Sequence, residues 1–455
     1  MKKRTRIISA LFFSLISVGN FSAIAQGTEN ILSLDLKMAL SIAEDKNPTI
    51  KIAELEIKRV DYSKKETIGN LLPSVSATGQ YTNNVMKSVM FMPASMAAAF
   101  GGKSYMEIGY KNSLTGTISA SMPLINFSLW EQIKSKQTAM DLILEQARAS
   151  KIDMRKQVTD AYFNILLAEA SLKVLQQSID NSKETLRTVK TSYERGLSSE
   201  YDYIRAQVQV NNLNPSYLSA KNGVDLAKLQ LKMLLSIPME QEIGIKEELV
   251  DYEDNLKLLE KYENDRATEY NSTLRQLDLN IQSLQHTLKM TKYQHLPTLS
   301  AFGQYAYQTQ AEDFKFQDYK WVSSAAVGLT LSIPIFNGNT IINQTKQAEM
   351  SLKELQLQRD YTSEAQNLQV TSALDNMRTA NEQLLVNKEA IAQAEKGYDI
   401  AKVRYNTGVG TILELNDSEL ALTQSRLNYQ QALYDYLTAE AQLEQVLGRV
   451  YPISE

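Results

Sequence analysis

The chain is one unit written twice, and this constrains its fold more than any other feature. Leu72-Pro-Ser-Val-Ser-Ala-Thr-Gly-Gln-Tyr81 recurs as Leu296-Pro-Thr-Leu-Ser-Ala-Phe-Gly-Gln-Tyr305, identical at seven of ten positions and 224 residues away. Ser121-Met-Pro-Leu-Ile-Asn126 is echoed by Ser332-Ile-Pro-Ile-Phe-Asn337 at an offset of 211, and Tyr193-Glu-Arg-Gly196 by Tyr405-Asn-Thr-Gly408 at 212. Three echoes in the same order mark a duplication. The fall from 224 to 211 puts 13 extra residues in the first copy, between Tyr81 and Ser121. The expected division is a leader at 1–25, a first repeat at 26–238 and a second at 239–455.

Each copy holds two segments that alternate with period two. Val75, Ala77, Gly79 and Tyr81 interleave with Ser74, Ser76, Thr78 and Gln80, and Leu114, Gly116, Ile118, Ala120 and Met122 with Thr115, Thr117, Ser119 and Ser121. Leu299, Ala301, Gly303, Tyr305 and Tyr307 oppose Ser300, Gln304 and Gln308, and Ala325, Val327, Leu329, Leu331 and Ile333 interleave with Ser324, Thr330 and Ser332. Runs of about ten residues suit tilted membrane-crossing strands. A small, uncharged polar face suits a water-filled lumen. Pro73, Pro123, Pro297 and Pro334 are expected where each strand meets a helix, since Pro is tolerated cheaply at an element's edge.

The remainder reads as helix. Leu129 to Arg195 contains no Gly or Pro. Ile165, Ala168, Leu172, Leu175, Ile179, Ser182, Leu186, Val189 and Tyr193 recur at spacings of three and four. Met377, Ala380, Leu384, Asn387, Ile391, Ala394, Tyr398, Ala401 and Tyr405 repeat that register 212 residues on. Sustained heptads imply helices packed side by side as coiled coil. Shorter helices are expected at about 50–71, 199–235, 272–295 and 412–447, with Pro215 kinking the second.

At the start, Lys2, Lys3, Arg4 and Arg6 precede the apolar run 7–18, and Ala23-Ile24-Ala25 supplies small residues for a peptidase. This is a secretory leader pattern, with cleavage expected before Gln26; the run is shorter than the roughly 20 residues of a spanning helix. Losing those four cations takes the net charge from -4 to -8. No later stretch reads as a transmembrane helix, so a membrane part must be a β-barrel. A chain with no Cys and a pI near 5.6 holds no disulfide, thiolate centre or nucleic-acid face. His286 and His295 stand outside any HExxH, GxSxG or phosphate-loop motif, so both read as surface or junction residues and no enzyme or cofactor is expected.

With these residues assembled, the chain resembles the TolC-type outer-membrane efflux channel family along its whole mature length. Leu32-Ser-Leu-Asp-Leu-Lys-Met-Ala-Leu40 with Asn47-Pro48 is similar to the family's N-terminal segment, and Pro334-Ile-Phe-Asn-Gly338 to its strand-to-helix junction. The resemblance implies a mainly helical fold with a membrane β-barrel part. Long coiled-coil helices would form a periplasmic α-barrel, and four strands per chain would contribute to a twelve-stranded barrel. Strand arithmetic alone requires more than two chains, because eight strands leave an interior packed with side chains; the resemblance implies a homotrimer. It also implies a passive exit duct in the outer-membrane lipid of a Gram-negative cell. Its partners would be a periplasmic adaptor protein and an inner-membrane transporter of RND or ABC type. The alternatives are a soluble periplasmic coiled-coil adaptor and a structural envelope spacer.

Candidate functional residues lie at the helix turns. Gly196 and Gly408 each follow a long helix and suit the C-cap role; by resemblance Gly196, Leu197, Gly408 and Val409 would dock the adaptor. Glu414 and Asp417 are three apart on one helix face and match the family's constriction carboxylates, where rings of like charge favour cations. Asp202 and Tyr405 match positions that bond between helices in the closed state. At Gly410 the chain departs from the best-known pattern, which has an Arg. Met86, Met90, Met92, Met96 and Met106 crowd the segment holding the extra residues. Thioethers suit Cu(I) or Ag(I), but Met is also a flexible apolar filler, and loop packing is the favoured reading. Tyr81, Tyr305, Tyr307 and Trp321 fit an interfacial aromatic girdle.

Overall fold

The computed structural model describes residues 31–93, 95, 104–256, 262 and 269–449. The expected leader at 1–25 and Met96 lie outside them. In chain order the elements are β1 (Leu32–Leu34), α1 (Leu36–Lys46), α2 (Pro48–Gly69), β2 (Ser74–Asn83), β3 (Ser88–Phe91), β4 (Tyr105–Ile108) and β5 (Asn112–Ile125). There follow α3 (Phe127–Glu194), α4 (Glu200–Leu235), β6 (Ile243–Ile245), α5 (Ser272–Tyr293), β7 (Thr298–Ala311), β8 (Val322–Ser332), α6 (Thr340–Asn406) and α7 (Ile412–Val446).

The alternating segments form one antiparallel sheet of order β2-β5-β7-β8. The duplication survives at the level of register. Ser74 faces Ser121 in the first hairpin, and their counterparts Thr298 and Ser332 face each other in the second. Apolar residues meet apolar ones across strands, as in Val75–Ala120, Ala77–Ile118, Leu299–Leu331 and Ala301–Leu329. Polar residues meet polar: the hydroxyls of Ser74 and Ser121, and of Ser76 and Ser119, lie 2.9 Å apart. Phe302 breaks the polar face, and its ring covers Gly328, where a Cβ would come within 2.9 Å of it. Val327 is 88% exposed and Leu329 66%, so the sheet has one apolar and one polar face, and among the described residues nothing covers the former.

Pro123 corrects the expectation that all four prolines end strands. It lies inside β5, paired with Ser300, and the register shifts between Pro123 and Ile125. A Pro cannot donate to the ladder, and a bulge is where an interior strand can accommodate one. Pro73 and Pro297 do sit between helix and strand, and Pro334 follows β8. The extra residues of the first copy extend its hairpin as β3 and β4, with Met90 opposite Met106.

The helices form four lanes. α3, with 68 residues, and α6, with 67, are each about 100 Å long at ~1.5 Å per residue. α2 and α4 run along α3, tied to it by Lys64–Gln137 and by Lys228–Glu169 at 2.7 Å. α5 and α7 fill the lane between α3 and α6, with Ser128 reaching Met290 on one side and Lys292 pairing with Glu349 on the other. Pro215 lies within α4, which continues through it from Glu200 to Leu235.

A belt that the periodicity did not reveal surrounds the middle of α3. β1 pairs in parallel with β6. Leu34, Leu40, Tyr162, Phe163, Ile165, Leu231 and Leu235 are buried there in one cluster with α1. Asn47 caps α2 through Thr49 and donates to the Leu234 carbonyl at 2.8 Å, which fixes the start of α2 against the end of α4. No described helix is long and apolar enough to cross a membrane.

Candidate functional site

The two helix turns at the end of the lanes farthest from the sheet have one backbone design. Gly196 has φ +71° and Gly408 φ +75°, the left-handed conformation that costs a residue with a Cβ about 1–2 kcal/mol. Leu197 N–H donates to the Ser192 carbonyl at 2.8 Å, and Val409 N–H to the Arg404 carbonyl at 2.9 Å. These six-to-one bonds satisfy the last carbonyls of α3 and α6. They leave Leu197 78% and Val409 70% exposed. All four expected docking residues are therefore at the tips, two shaping the backbone and two presenting apolar side chains to solvent.

The helices that leave the turns start differently. Ser199 and Asp202 form a reciprocal capping box: the Asp202 N–H donates to the Ser199 hydroxyl oxygen at 3.1 Å, and the Ser199 N–H donates to the Asp202 carboxylate at 3.3 Å. At α7, Thr411 accepts from the Glu414 N–H at 3.2 Å. The Glu414 side chain turns away and meets Arg404 at 3.4 Å. Glu414 and Asp417 are both exposed on the first turns of α7. Gly410 sits under Arg404: a Cβ there would lie 2.9 Å from the Arg404 Cβ and 3.2 Å from its carbonyl carbon. A side chain at 410 would therefore crowd Arg404, whose guanidinium places a cation beside Glu414.

Tyr405 is half-buried where α6 meets α3 and α4. Burial pushes its phenol up, a hydrogen bond with the Ser198 side chain pulls it partly back, and the Asp202 carboxylate adds to the rise. Tyr405 and Asp202 are therefore electrostatic neighbours within one chain, with Asp202 bonded to Ser199. Tyr193 stacks on Tyr203 beside them, with centroids 5.5 Å apart.

At the opposite end, the sheet carries two aromatic levels. Tyr307 stacks on Trp321 at 4.9 Å and Tyr81 donates to Asn112 at 2.9 Å at the outer end. Phe127, Trp130 and Tyr293 cluster where the sheet joins the helices, with Phe127 and Trp130 centroids 5.3 Å apart. Ten residues at ~3.3 Å rise and a tilt of ~40° separate levels by about 25 Å, the height of the apolar band of a membrane barrel. A sheet with one lipid-like and one lumen-like face stands on four lanes of helix, and the outer membrane efflux protein family model matches this chain at residues 39–236 and 265–449.

The chain belongs to the outer membrane efflux protein family.

Among curated relatives, it is 21% identical to outer membrane protein TolC of Escherichia coli over 466 aligned residues, covering 98% of this chain and 87% of TolC. It is 22% identical to the alkaline protease secretion protein AprF of Pseudomonas aeruginosa, over 74% of this chain and 70% of AprF. The crystal structure of VceC from Vibrio cholerae superposes with a TM-score of 0.73 at 14% identity, covering 92% of this chain and 97% of that one, which shows the shared fold. The family is one of outer-membrane channels, not enzymes, and the expected fold class holds: mainly α, internally duplicated, with a membrane β part. The chain is an outer-membrane protein with a large periplasmic portion, which sets aside the soluble adaptor.

The family channel contains buried charges that periodicity alone missed. His286 is a junction residue, partly buried where α5 meets α3: it lies 2.7 Å from Glu131, which is 2% exposed there. Burial raises the Glu131 carboxyl, but hydrogen bonds from His286 and Lys134 lower it further, leaving it below its ordinary value. Glu419, also 2% exposed, lies against Ser182. A signal for Glu419 was available, since it falls on the three-four seam of Ile412, Leu415 and Leu422. Met86, Met90 and Met106 are exposed on the extended hairpin, and among the described residues no His, Cys, Asp or Glu group is placed to hold a metal.

Proposed function

We propose that three copies of this chain close edge to edge into a duct that exports cargo passively from the periplasm. The observation that carries this reading is a matched pair of open edges. β2 and β8 end the sheet on opposite sides, each with one ladder unpaired among the described residues. The lanes below them expose apolar side chains, Ile52, Leu55, Tyr62 and Leu218 on α2 and α4, and Leu357, Tyr361, Leu368 and Leu385 on α6. Open strand edges and apolar stripes of this length are sites of self-association. Two different edges that fit each other make a heterologous contact, which closes into a ring when the rotation allows. Three chains give twelve strands, enough for an open lumen.

In this reading the repeats divide at 238 and 239 after a leader at 1–25. Glu414 and Asp417 form two rings of carboxylates at the periplasmic mouth, with Asp202 and Tyr405 holding adjacent helices. Gly196, Leu197, Gly408 and Val409 dock a periplasmic adaptor, which links the duct to an inner-membrane transporter of RND or ABC type. Cargo is small molecules, whether drugs, toxic compounds or metal ions, or proteins; AprF is named for the secretion of alkaline protease. Purification in detergent followed by single-channel recording tests the proposal. A mass of three chains with cation-selective steps is expected. A monomer that inserts and never conducts would favour the envelope spacer.

A further inference from the structure

Glu419 occupies a core position of the α3–α7 seam, two residues beyond Asp417. The packing positions of α7 along this seam are Ile412, Leu415, Glu419 and Leu422, and the first, second and fourth are buried apolar residues. The carboxylate takes the place of the next leucine. Its Oε2 accepts from the Ser182 hydroxyl at 3.1 Å, and its Oε1 is buried without a partner. One turn further on, Thr423 donates to Ser178 at 3.0 Å. Both members of each pair are buried in the single chain, so this environment does not await assembly. From α6, Tyr398 and Lys402 carry charge or a proton toward the site. Among the described residues, no cation lies within ion-pair distance of Glu419. Glu184 on α3 acts on Tyr398, while α4 adds Ala206 and Tyr203 to the same cluster.

A buried carboxylate with one unpartnered oxygen and no ion pair is tolerable when neutral and costly when charged. We propose that Glu419 is a proton-operated positioning residue of the gate: neutral, it lets the base of α7 lie zipped on α3; ionised, it loosens that seam and releases the α7 turns bearing Glu414 and Asp417. The inference rests on the duct reading and adds to it a response to periplasmic pH. The first copy has no counterpart, because the matching residue, Gln207, is uncharged and exposed.

Burial pushes the Glu419 carboxyl up from 4.5 to about 7, against the Ser182 hydrogen bond and the charge of Lys402, which lower it. A carboxyl raised in the zipped state favours that state at low pH. The seam is fully stable below 4.5, weakens as pH climbs from 4.5 toward 7, and changes no further above 7. The bias is on the order of a hundredfold per chain across that window.

Single-channel recording of the full-length protein between pH 4.5 and 8, beside Glu419→Gln, reads this out. Gln keeps an acceptor for Ser182 and never ionises. Open-state occupancy of the parent should rise steeply with pH to a plateau near 7, while the variant stays at the parent's acid value. Equal pH profiles in the two proteins would overturn the proposal. The chain has no Cys, so Ser178→Cys with Thr423→Cys reports the seam directly. Disulfide yield, normalised to the same pair in the Glu419→Gln background, should fall as pH rises; a constant ratio overturns the proposal. A parent that conducts at no pH sinks the duct reading, and the cross-link still decides the role of Glu419.

Discussion

The two helix turns at the tips share a backbone and differ in chemistry. At an offset of 212, Gly196 matches Gly408, Leu197 matches Val409, and the carbonyl of Ser192 matches that of Arg404, each in the same hydrogen-bonded motif. One residue later the copies part. Ser198 becomes Gly410, Asp202 becomes Glu414, Arg205 becomes Asp417 and Gln207 becomes Glu419. In the first copy the shorter carboxylate folds back to cap its own helix. In the second, one more methylene carries the carboxylate out to Arg404 and leaves Thr411 to cap alone. Because a left-handed glycine and main-chain bonds define the turn, the side chains around it are free to diverge. The second copy has become acidic on α7, and the first has stayed structural.

That contrast can be broken experimentally, and the largest effect should be on selectivity. Glu414→Gln with Asp417→Asn removes both proposed rings and should move the reversal potential in a salt gradient toward that of a neutral pore. Arg205→Ala, at the matching position of the first copy, should leave it cation-selective; an unshifted double variant would refute the assignment of the gate.

Next in size are the glycines. Gly196→Ala and Gly408→Ala should each cost about 1–2 kcal/mol through the positive φ alone, read as equal drops in the thermal midpoint of the detergent-solubilised protein. Markedly unequal drops would mean that the turns are not mechanically alike.

Asp202→Ala should cost about 1 kcal/mol by opening the capping box, seen as faster amide exchange in the first turn of α4. Glu414→Ala should change exchange in the first turn of α7 least, because a half-exposed pair with Arg404 is worth at most about 0.5 kcal/mol. Reversal of that order would show Glu414 to be the structural residue and Asp202 the expendable one.

Much of this organisation was legible before any fold. The alternation from Ser74 to Tyr81 and its echo from Thr298 to Tyr305 specify strand and face together, because side chains on a strand point alternately to its two sides. The heptads of α3 and α6 give two helices of nearly equal length, and Gly196 and Gly408 mark their ends. The site was legible only in part. The positions of Glu414 and Asp417 could be read, but the Arg404 contact and the crowding at Gly410 could not, since both depend on how the chain closes the turn.

The linear order of residues determined the duplication, the strand faces, the helix lengths and the turn positions, all consequences of local periodicity and local backbone preference. Tertiary structure decided the features in which one segment meets a distant one. These are the pairing of β1 with β6 across some 200 residues, the bulge at Pro123, the burial of Glu131 against His286, and the lodging of Glu419 against Ser182. Each is set by which surface lies opposite, and a polar residue on a helix acquires its character from that neighbour: Glu419 facing water would be an ordinary acid, and facing α3 it is a buried one.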